Sequence, residues 1–478
     1  MVTATEQLVG RICAAASFAV PLALSVLAAS PEPYWLDSPE FTAAAQTLGI
    51  PHPPGHPLYV MLVKPFTLLP FGSIAFRVSL ASAVFGAIAS YLLYHLMLKT
   101  TAVAAPSLGL WARALVAFAT SLTASVAPGW WFQCVRAEVY ALQIAMVLGA
   151  LYPLVLFCLN PTRGNDRLLY ISAFIAGIGM TNHHFIMFAA APAVIPVIVA
   201  QSRYRGGLGS LKLAGRLVAA GAAGLVPYLF LPLRSASGAA VSLGGVGSLS
   251  DLFWVVSAKV YQKSMVRDHA ASLGERSADA LLTMIGEIGP IVLVAAAAGL
   301  YLLLRKSSTR MVGLVLFLVI SVTLFLRSIM GFDPFNPDYY GYMLPALACI
   351  AIGFSVFAAI MIEAVRLNLK RGKLVAVALV VALTVLPVAR ARTARPKVDL
   401  SSFRTTRLMY DLALAHATPG TLVLASNYKL FFVLWSARFI DGSNPDITVI
   451  NPHLFGYPGY LSSTLTEHPE LRALAKEF

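Results

Sequence analysis

The chain has 478 residues, of which 58% are hydrophobic and only 12% are charged, and its mean hydropathy is +0.76. Soluble proteins carry about 25% charged residues, so this composition excludes an ordinary soluble domain and predicts an integral membrane protein in contact with lipid. The net charge of +14 does not indicate nucleic-acid binding. Most Lys and Arg residues stand in short segments between apolar runs, where such residues orient helices in a membrane.

Eleven apolar runs follow one another along the chain, and runs of roughly twenty residues predict helices that cross a hydrocarbon core about 30 Å thick. They cover residues 12–29, 74–97, 113–128, 139–158, 168–181, 184–200, 213–233, 281–304, 311–328, 341–365 and 373–390. The sequence therefore predicts an all-α polytopic membrane protein with about 11 transmembrane helices. The first run could belong to a cleaved signal peptide, but we favour a retained helix, because the segment after it looks anchored to it.

The distribution of Lys and Arg predicts which loops face the cytoplasm. Basic residues concentrate in alternate loops, so the first outer loop (residues 30–73) and the loop at residues 235–280 are predicted to face the periplasm or exterior of a bacterial inner membrane. The last helix conflicts with this pattern, because it is followed by four further basic residues, Arg390, Arg392, Arg395 and Lys397. Charge alone therefore leaves the side of the C-terminal segment open.

Two regions are predicted: a transmembrane domain over residues 1–397, and a small α/β domain or cap over residues 398–478, which we place outside the cytoplasm. In the second region, "TLVLAS" and "ITVIN" have the composition of short parallel strands separated by helix-like stretches. In the outer loops, residues 57–70 ("PLYVMLVKPFTLLP") are too few to span a bilayer and are predicted to form an interfacial helix. The segment "DLFWVVSAKVYQK" is interpreted in the same way.

The loop after the first helix carries acids and histidines on a stiff backbone. Asp37 and Glu40 begin the segment "DSPEFTAAAQTL", and His52 and His56 lie within "PHPPGHP". One interpretation is that Asp37 caps a helix and Glu40 lies in its first turn, near the positive end of the helix dipole. That interpretation does not explain the histidine turn, because a solvated loop has no need of the stiffness that so many prolines give. A binding surface does need a stiff backbone, so the loop is a candidate site.

Four further polar patches are predicted at outer helix ends. They contain Arg136, Glu138 and Tyr140 in "RAEVYALQ"; Asn182, His183 and His184 in "TNHH", predicted to form a tight turn; Arg234 in "LPLRS"; and Asp333, Asp338 and three tyrosines in "GFDPFNPDYYGYMLP". Three of these patches have a plainer interpretation: Arg136 pairs with Glu138, the histidines bond to backbone, and Arg234 extends to lipid headgroups. Together they indicate one outward-facing site, where a carboxylate acts as a base and cationic side chains offset phosphate charge.

The motifs "DSPEFTAAAQTLGIPHPPGHPLY", "LPFGSIAFRVSL", "RAEVYALQ", "TNHH" and "LPLRS" resemble the bacterial relatives, once a domain family of unknown function, of the eukaryotic transmembrane protein O-mannosyltransferases. These are glycosyltransferases of the GT-C superfamily. The resemblance implies a GT-C fold and an inverting transfer, with Asp37 as the catalytic base, Glu40 as a second catalytic residue, and His52 and His56 lining the site as residues that bind donor or acceptor. It makes the other outer residues candidates for binding donor or acceptor: Arg136, Glu138, Tyr140, Asn182, His183, His184 and Arg234.

The predicted function is therefore transfer of a sugar from a polyprenyl-phosphate donor to an extracytoplasmic protein hydroxyl or glycan. No metal-ligand motif is apparent and no cofactor is certain; Mg²⁺ or Mn²⁺ could assist Arg and His in neutralising the phosphate. The alternative function is a transporter or flippase for a lipid-linked sugar. A transporter should place its charged residues near the bilayer midplane, whereas the sequence places them at the outer rim.

Overall fold

The computed structural model describes residues 3–266, 272–330, 336–443 and 446–476; Asp333 lies outside the described residues. The N-terminal helices are α1 (Ala4–Ala28), α2 (Ser38–Thr47), α3 (Pro57–Thr67), α4 (Ile74–Ala104), α5 (Leu110–Ser125), α6 (Pro128–Phe132) and α7 (Tyr140–Leu159). Four of them, α1, α4, α5 and α7, pack side by side through α4. The short helices α2 and α3 form the first loop, and α3 confirms the helix predicted within residues 57–70.

The second half of the bundle contains longer and more irregular helices. They are α8 (Asp166–Ala190), α9 (Ile195–Ala223), α10 (Phe230–Ala236), α11 (Leu249–Val256), α12 (Lys259–Val266), α13 (Leu273–Ile288), α14 (Pro290–Arg305), α15 (Arg310–Ile329), α16 (Asp338–Gly341), α17 (Leu344–Asn368) and α18 (Gly372–Val398). The single span predicted at 281–304 is wrong, because α13 and α14 meet at an angle of 104°. Gly289 joins them with a φ of 84°, a conformation that favours glycine.

The predicted all-α polytopic membrane fold is confirmed, with fewer spans than predicted. Among the described residues, eight helices are each long and apolar enough to cross a membrane, or nine if the bent pair counts as one span. The predicted spans 168–181 and 184–200 belong to one helical stretch, Arg163–Val199, of 37 residues. The span predicted at 113–128 is the 16-residue helix α5, which is short for a full crossing.

The centre of the bundle is α17, which packs against α4, α5, α14, α15 and α18. Its closest neighbour is α14, where Gly299 faces Gly353. A Cβ atom on Gly299 would lie 1.9 Å from the carbonyl oxygen of Gly353, so any larger residue would push the two helices apart. Small residues at such crossings let helix backbones touch, which is how helices associate in a membrane without a hydrophobic driving force between them.

The C-terminal segment is the small α/β unit that the sequence predicts. It contains α19 (Thr405–Ala413), β1 (Leu422–Leu424), α20 (Tyr428–Ile440), β2 (Thr448–Ile450) and α21 (Pro458–Glu467). The two strands pair in parallel, with Leu422 opposite Thr448. Helix α20 packs on α2, where Phe431 and Trp435 join the apolar cluster around Ala43 and Ala44. The unit therefore covers the first loop.

Hydrogen bonds show at which end of the bundle the C-terminal segment lies. The backbone N–H of Leu400 donates to the carbonyl of Ala28, at 2.9 Å, and the hydroxyl of Thr406 donates to the carbonyl of Pro33, at 2.5 Å. The segment therefore lies at the end of the bundle that carries the first loop. The opposite end is marked by Lys306, which donates to the carbonyl of Val103 at the end of α4, at 2.8 Å.

Candidate active site

Asp37 occupies the position directly before α2, yet its side chain does not act as a cap. Its carboxylate accepts no hydrogen bond from the backbone N–H groups of the first turn of α2, all of which lie in the described part of the chain. Pro39 stands in that first turn and has no N–H to be capped. The half-buried carboxylate of Asp37 is thus available to the polar cluster around it, and the capping interpretation does not describe it.

Glu40 and His52 form a clamp that fixes the histidine turn to α2. The Glu40 side chain is fully buried. One of its oxygens accepts the backbone N–H of His52, at 2.5 Å, and the other lies 2.8 Å from the His52 Nδ1 atom. Because both carboxylate oxygens are engaged, Glu40 acts as a positioning residue.

The clamp also sets the charge of His52. Burial lowers the pKa of the imidazole, but the Glu40 carboxylate has the larger combined effect and raises that pKa to about 9. His52 is therefore an imidazolium at neutral pH.

His56 is held by a different bond, to the TNHH segment. Its Nδ1 atom lies 2.5 Å from the carbonyl oxygen of Asn182, so the nitrogen must donate. Burial lowers the pKa of His56 well below its usual value, and the neighbouring charge of His52 lowers it further. His56 is therefore neutral. The two loop histidines, whose ring centroids lie 5.2 Å apart, thus differ in charge because one faces a carboxylate and the other faces a carbonyl.

The segment at Asn182 is a kinked helix, and the predicted tight turn is wrong. Residues on both sides of the kink are helical, while His183 has φ −151° and ψ 91°. This break brings the carbonyl of Asn182 to His56 and places the His183 ring among three others, at 5.7 Å from His56, 5.8 Å from Tyr140 and 5.2 Å from Tyr342. His184 stacks on His183, with 6.4 Å between ring centroids, and also packs against Phe188.

Arg136 lies at the centre of a buried ion network. Its side chain is 0% exposed. One terminal nitrogen donates to Glu138 at 2.9 Å, and the other donates to Gln133 at 2.8 Å and to Asp338. The guanidinium also lies 5.1 Å from the ring centroid of Phe132. Protein groups therefore engage both terminal nitrogens of Arg136, and we interpret it as a residue that positions carboxylates. A direct contact between Arg136 and a donor phosphate stays a prediction.

Arg234 binds backbone carbonyl groups at the end of α2. It donates to the carbonyl oxygens of Leu48, at 2.7 Å, and Thr47, at 3.3 Å. Lys64 donates to the neighbouring carbonyl of Gln46, at 2.5 Å. Both cations therefore satisfy carbonyl groups at the C-terminal end of α2, where the helix dipole is negative. Arg234 therefore fixes the helix that follows Asp37 and carries Glu40, and its binding of a donor stays a prediction.

The cluster around Asp37 contains more carboxylate than cation. Burial raises the pKa of Asp37 to about 7; the nearby Asp338 and Glu40 raise it as well, while His52 and Arg136 lower it. Burial and the Asp338 carboxylate also raise the pKa of Glu138 well above its usual value. A carboxyl group that titrates near neutrality is the property expected of a general base.

Within the described parts of the chain, two sets of side chains have the spacing of metal ligands. The first set consists of Asp37, Glu40 and His52. The bonds to His52 already occupy both carboxylate oxygens of Glu40, so this set does not fit a cation. In the second, Asp37, Glu138 and Asp338 offer oxygens within 4.8 Å of one another, the ligand type that Mg²⁺ and Mn²⁺ prefer. This second set could hold a divalent cation, which would share Glu138 and Asp338 with Arg136.

Three residues of the site were missed by sequence reasoning: Gln133, Tyr261 and Tyr457. Gln133 bonds to Arg136 and has no distinguishing pattern in the sequence. Tyr261 lies 6.0 Å from His52 between ring centroids, and its hydroxyl lies 3.5 Å from that of Tyr457. These two tyrosines come from α12 and from the C-terminal unit, so only the folded chain brings them to the first loop. Tyr342, one of the three tyrosines that the sequence groups with Asp338, lies against Tyr140 and His183.

Comparison with known proteins confirms the predicted resemblance. Residues 37–206 match the family model described as the protein O-mannosyl-transferase TMEM260 N-terminal domain. The chain is 35% identical over 202 residues to the protein O-mannosyl-transferase TMEM260 of Mus musculus, a match that covers 42% of this chain and 27% of that protein. It is 28% identical over 211 residues to the Dictyostelium discoideum protein of the same name, covering 41% and 24%. The chain thus spans about a quarter of the length of these relatives.

A solved structure shows that the fold is also shared. The chain superposes on ArnT from Cupriavidus metallidurans, crystallised with undecaprenyl phosphate, with a TM-score of 0.57 and 15% sequence identity; the match covers 95% of this chain and 88% of that one. The predicted GT-C-like architecture is therefore confirmed for nearly the whole chain, including the C-terminal unit. The family match begins at Asp37, the first residue of the candidate site.

The ion network predicts how the protein responds to loss of Arg136. Arg136→Ala should lower the free energy of unfolding by about 3–5 kcal/mol, because it leaves two buried carboxylates without their cation. Thermal unfolding of the purified protein in detergent measures this. Arg395→Ala, which removes an exposed partner of Asp399, is the matched control and should have little effect. Unchanged stability together with lost donor binding would instead make Arg136 a ligand of the phosphate.

Proposed function

We propose that this chain is a membrane glycosyltransferase that moves a hexose, mannose by analogy with the named relatives, from a polyprenyl-phosphate donor to a hydroxyl group of an extracytoplasmic protein or glycan. The observation that carries the proposal is the position of the Asp37 carboxylate. It does not cap α2, and its oxygens lie within 4.8 Å of ligand atoms of both the Glu40–His52 clamp and the Glu138–Asp338 pair. The fold shared with ArnT, which was crystallised with undecaprenyl phosphate, supports the class of donor.

In the proposed reaction, Asp37 takes the proton of the acceptor hydroxyl as that oxygen attacks the anomeric carbon. The bond between the anomeric carbon and the phosphate oxygen breaks, and polyprenyl phosphate leaves with the electron pair. A single displacement of this kind inverts the configuration at the anomeric carbon. The base needs to lie within hydrogen-bond reach of the proton, roughly 2.6–3.2 Å, and the fixed position of α2 supports that requirement.

His52 is the cation proposed to face the leaving phosphate. Arg136 is engaged by two carboxylates and Arg234 by the end of α2, whereas the charge of His52 is balanced by the single clamp to Glu40. Its side chain is also partly exposed, at 15%. A preorganised cation beside a developing negative charge lowers the barrier without reorganisation during the reaction. The remaining candidates, Tyr140, Asn182, His183 and His184, are proposed to contact the donor.

The placement of the cluster also bears on orientation and on the alternative function. The first loop, the Arg136 network and the C-terminal unit share one end of the bundle, which we propose faces the periplasm or exterior of a bacterial inner membrane. A transporter requires charged groups near the midplane in broken helices. The carboxylates and cations described above lie instead in loops and at helix ends, which favours an enzyme that receives an acceptor from outside.

Replacing the proposed base tests the function directly. Asp37→Asn is nearly isosteric and should lower sugar transfer by about a hundredfold or more, the usual effect of removing a general base, while donor affinity and thermal stability stay close to the parent values. Transfer from undecaprenyl-phosphate mannose to an acceptor peptide by the purified protein measures this. Asp411→Asn, an exposed acid on α19, is the control. A near-parental rate for Asp37→Asn would remove Asp37 from the reaction.

The pKa values of Asp37 and His52 predict a bell-shaped pH profile for transfer. The base works only when deprotonated, so the rate should rise with pH through the pKa of Asp37, about 7. The cation works only when protonated, so the rate should fall through the pKa of His52, about 9. Glu40→Gln removes the carboxylate that raises the pKa of His52, so it should move the falling limb to lower pH. A rate that keeps rising above the His52 pKa would contradict the role of His52.

A further inference from the structure

Two buried acceptor atoms beside the proposed catalytic residues lack a partner. His56 is 2% exposed and Asn182 is 0% exposed. Within the described parts of the chain, no group donates a hydrogen bond to His56 Nε2 or to Asn182 Oδ1. The two residues are themselves joined, because His56 Nδ1 donates to the Asn182 carbonyl at 2.5 Å. A buried polar atom left unsatisfied costs about 1–3 kcal/mol, so two such atoms on residues in contact call for an explanation.

Both atoms can only accept hydrogen bonds. The neutral His56 ring has its single N–H at Nδ1, which leaves a lone pair at Nε2. The amide of Asn182 uses its two N–H groups to donate to the carbonyl of Val139, at 3.1 Å, and to the side-chain oxygen of Gln143, at 2.8 Å, which fixes its orientation. A phosphate offers acceptor oxygens and cannot satisfy this pair. A ligand that supplies O–H groups can.

Aromatic rings border the same place. The Tyr140 and Tyr342 centroids are 5.7 Å apart, and the His183 ring lies against both of them and against His56. On the other side of His56 is His52, next to Asp37. An apolar wall with a few convergent polar groups is typical of a small-molecule site, and here it adjoins the proposed base and cation.

We propose that His56 Nε2 and Asn182 Oδ1 form the subsite that binds the hydroxyl groups of the donor sugar, with the Tyr140, Tyr342 and His183 rings as its wall. This inference rests on the proposed function and divides the site in two. The sugar lies against acceptor-only groups, and the phosphate lies at His52. The subsite selects a neutral hexose by its O–H donors, and it contributes nothing to binding the bare lipid phosphate.

The variant His56→Asn isolates the proposed contact. Asparagine tolerates the positive φ of 40° at this position, and its amide N–H group can replace Nδ1 as donor to the Asn182 carbonyl, while Nε2 is lost. The dissociation constant for undecaprenyl-phosphate mannose should rise about threefold to tenfold, the effect of one lost hydrogen bond. The dissociation constant for undecaprenyl phosphate should stay within about twofold of the parent value, because the variant changes no contact with the phosphate group. Binding to protein in lipid nanodiscs measures both.

A second measurement changes the lipid as well as the protein. At least one undecaprenyl-phosphate deoxymannose analogue should bind the parent protein more weakly than undecaprenyl-phosphate mannose does, because it lacks the hydroxyl group that donates to His56. That analogue and undecaprenyl-phosphate mannose should bind His56→Asn equally tightly, because the variant has already lost the acceptor of the same hydrogen bond. Equal weakening of both lipids by His56→Asn would make His56 a structural residue or a phosphate ligand and overturn the inference. No weakening of either would assign Nε2 to an ordered water and overturn it too. A parent protein that binds neither lipid contradicts the proposed function itself.

Discussion

The buried guanidinium of Arg136 is the interaction on which the site depends. A buried cation is tolerated only when carboxylates pair with it, and Arg136 recruits Glu138 from its own loop and Asp338 from the start of α16. The network places the Asp338 carboxylate near Asp37. Burial raises the pKa of Asp37 to about 7, and Asp338 raises it as well, while His52 and Arg136 lower it, so the network that holds the loops together also adjusts the proposed base.

The same constraint explains why the helix carrying Asp37 is held so firmly. Glu40 binds the histidine turn at its beginning, and Arg234 and Lys64 bind its last carbonyl groups. The C-terminal unit covers it through α20. A base that has to meet one proton at hydrogen-bond distance gains from a rigid support, and these charged residues provide it. In the sequence, the positive charge of Arg136 and Arg234 suggested that they bind phosphate. In the structure, their described contacts are with groups of the protein.

The sequence predicted the parts of the site that are local and missed those that depend on distant contacts. Glu40, His52 and His56 share one short loop, so prolines and spacing were sufficient to group them. The Arg136–Asp338 bond joins residues 202 positions apart, and no periodicity reports such a contact. Hydropathy found the apolar runs but not the break at Gly289 or the kink at His183, because both arise where packing of neighbouring helices overrides a continuous apolar pattern. The C-terminal unit was predicted as α/β from its strands, whereas its side was decided by backbone bonds such as Leu400 to Ala28.

The most direct test of this account is an experimental structure of the full chain with undecaprenyl-phosphate mannose bound. The account predicts that the phosphate lies beside His52, that sugar hydroxyl groups donate to His56 and Asn182, and that the anomeric carbon is open to an acceptor on the side of Asp37. A donor whose phosphate is bound by Arg136 or Arg234, or whose sugar lies at the end of the bundle marked by Lys306, would contradict it.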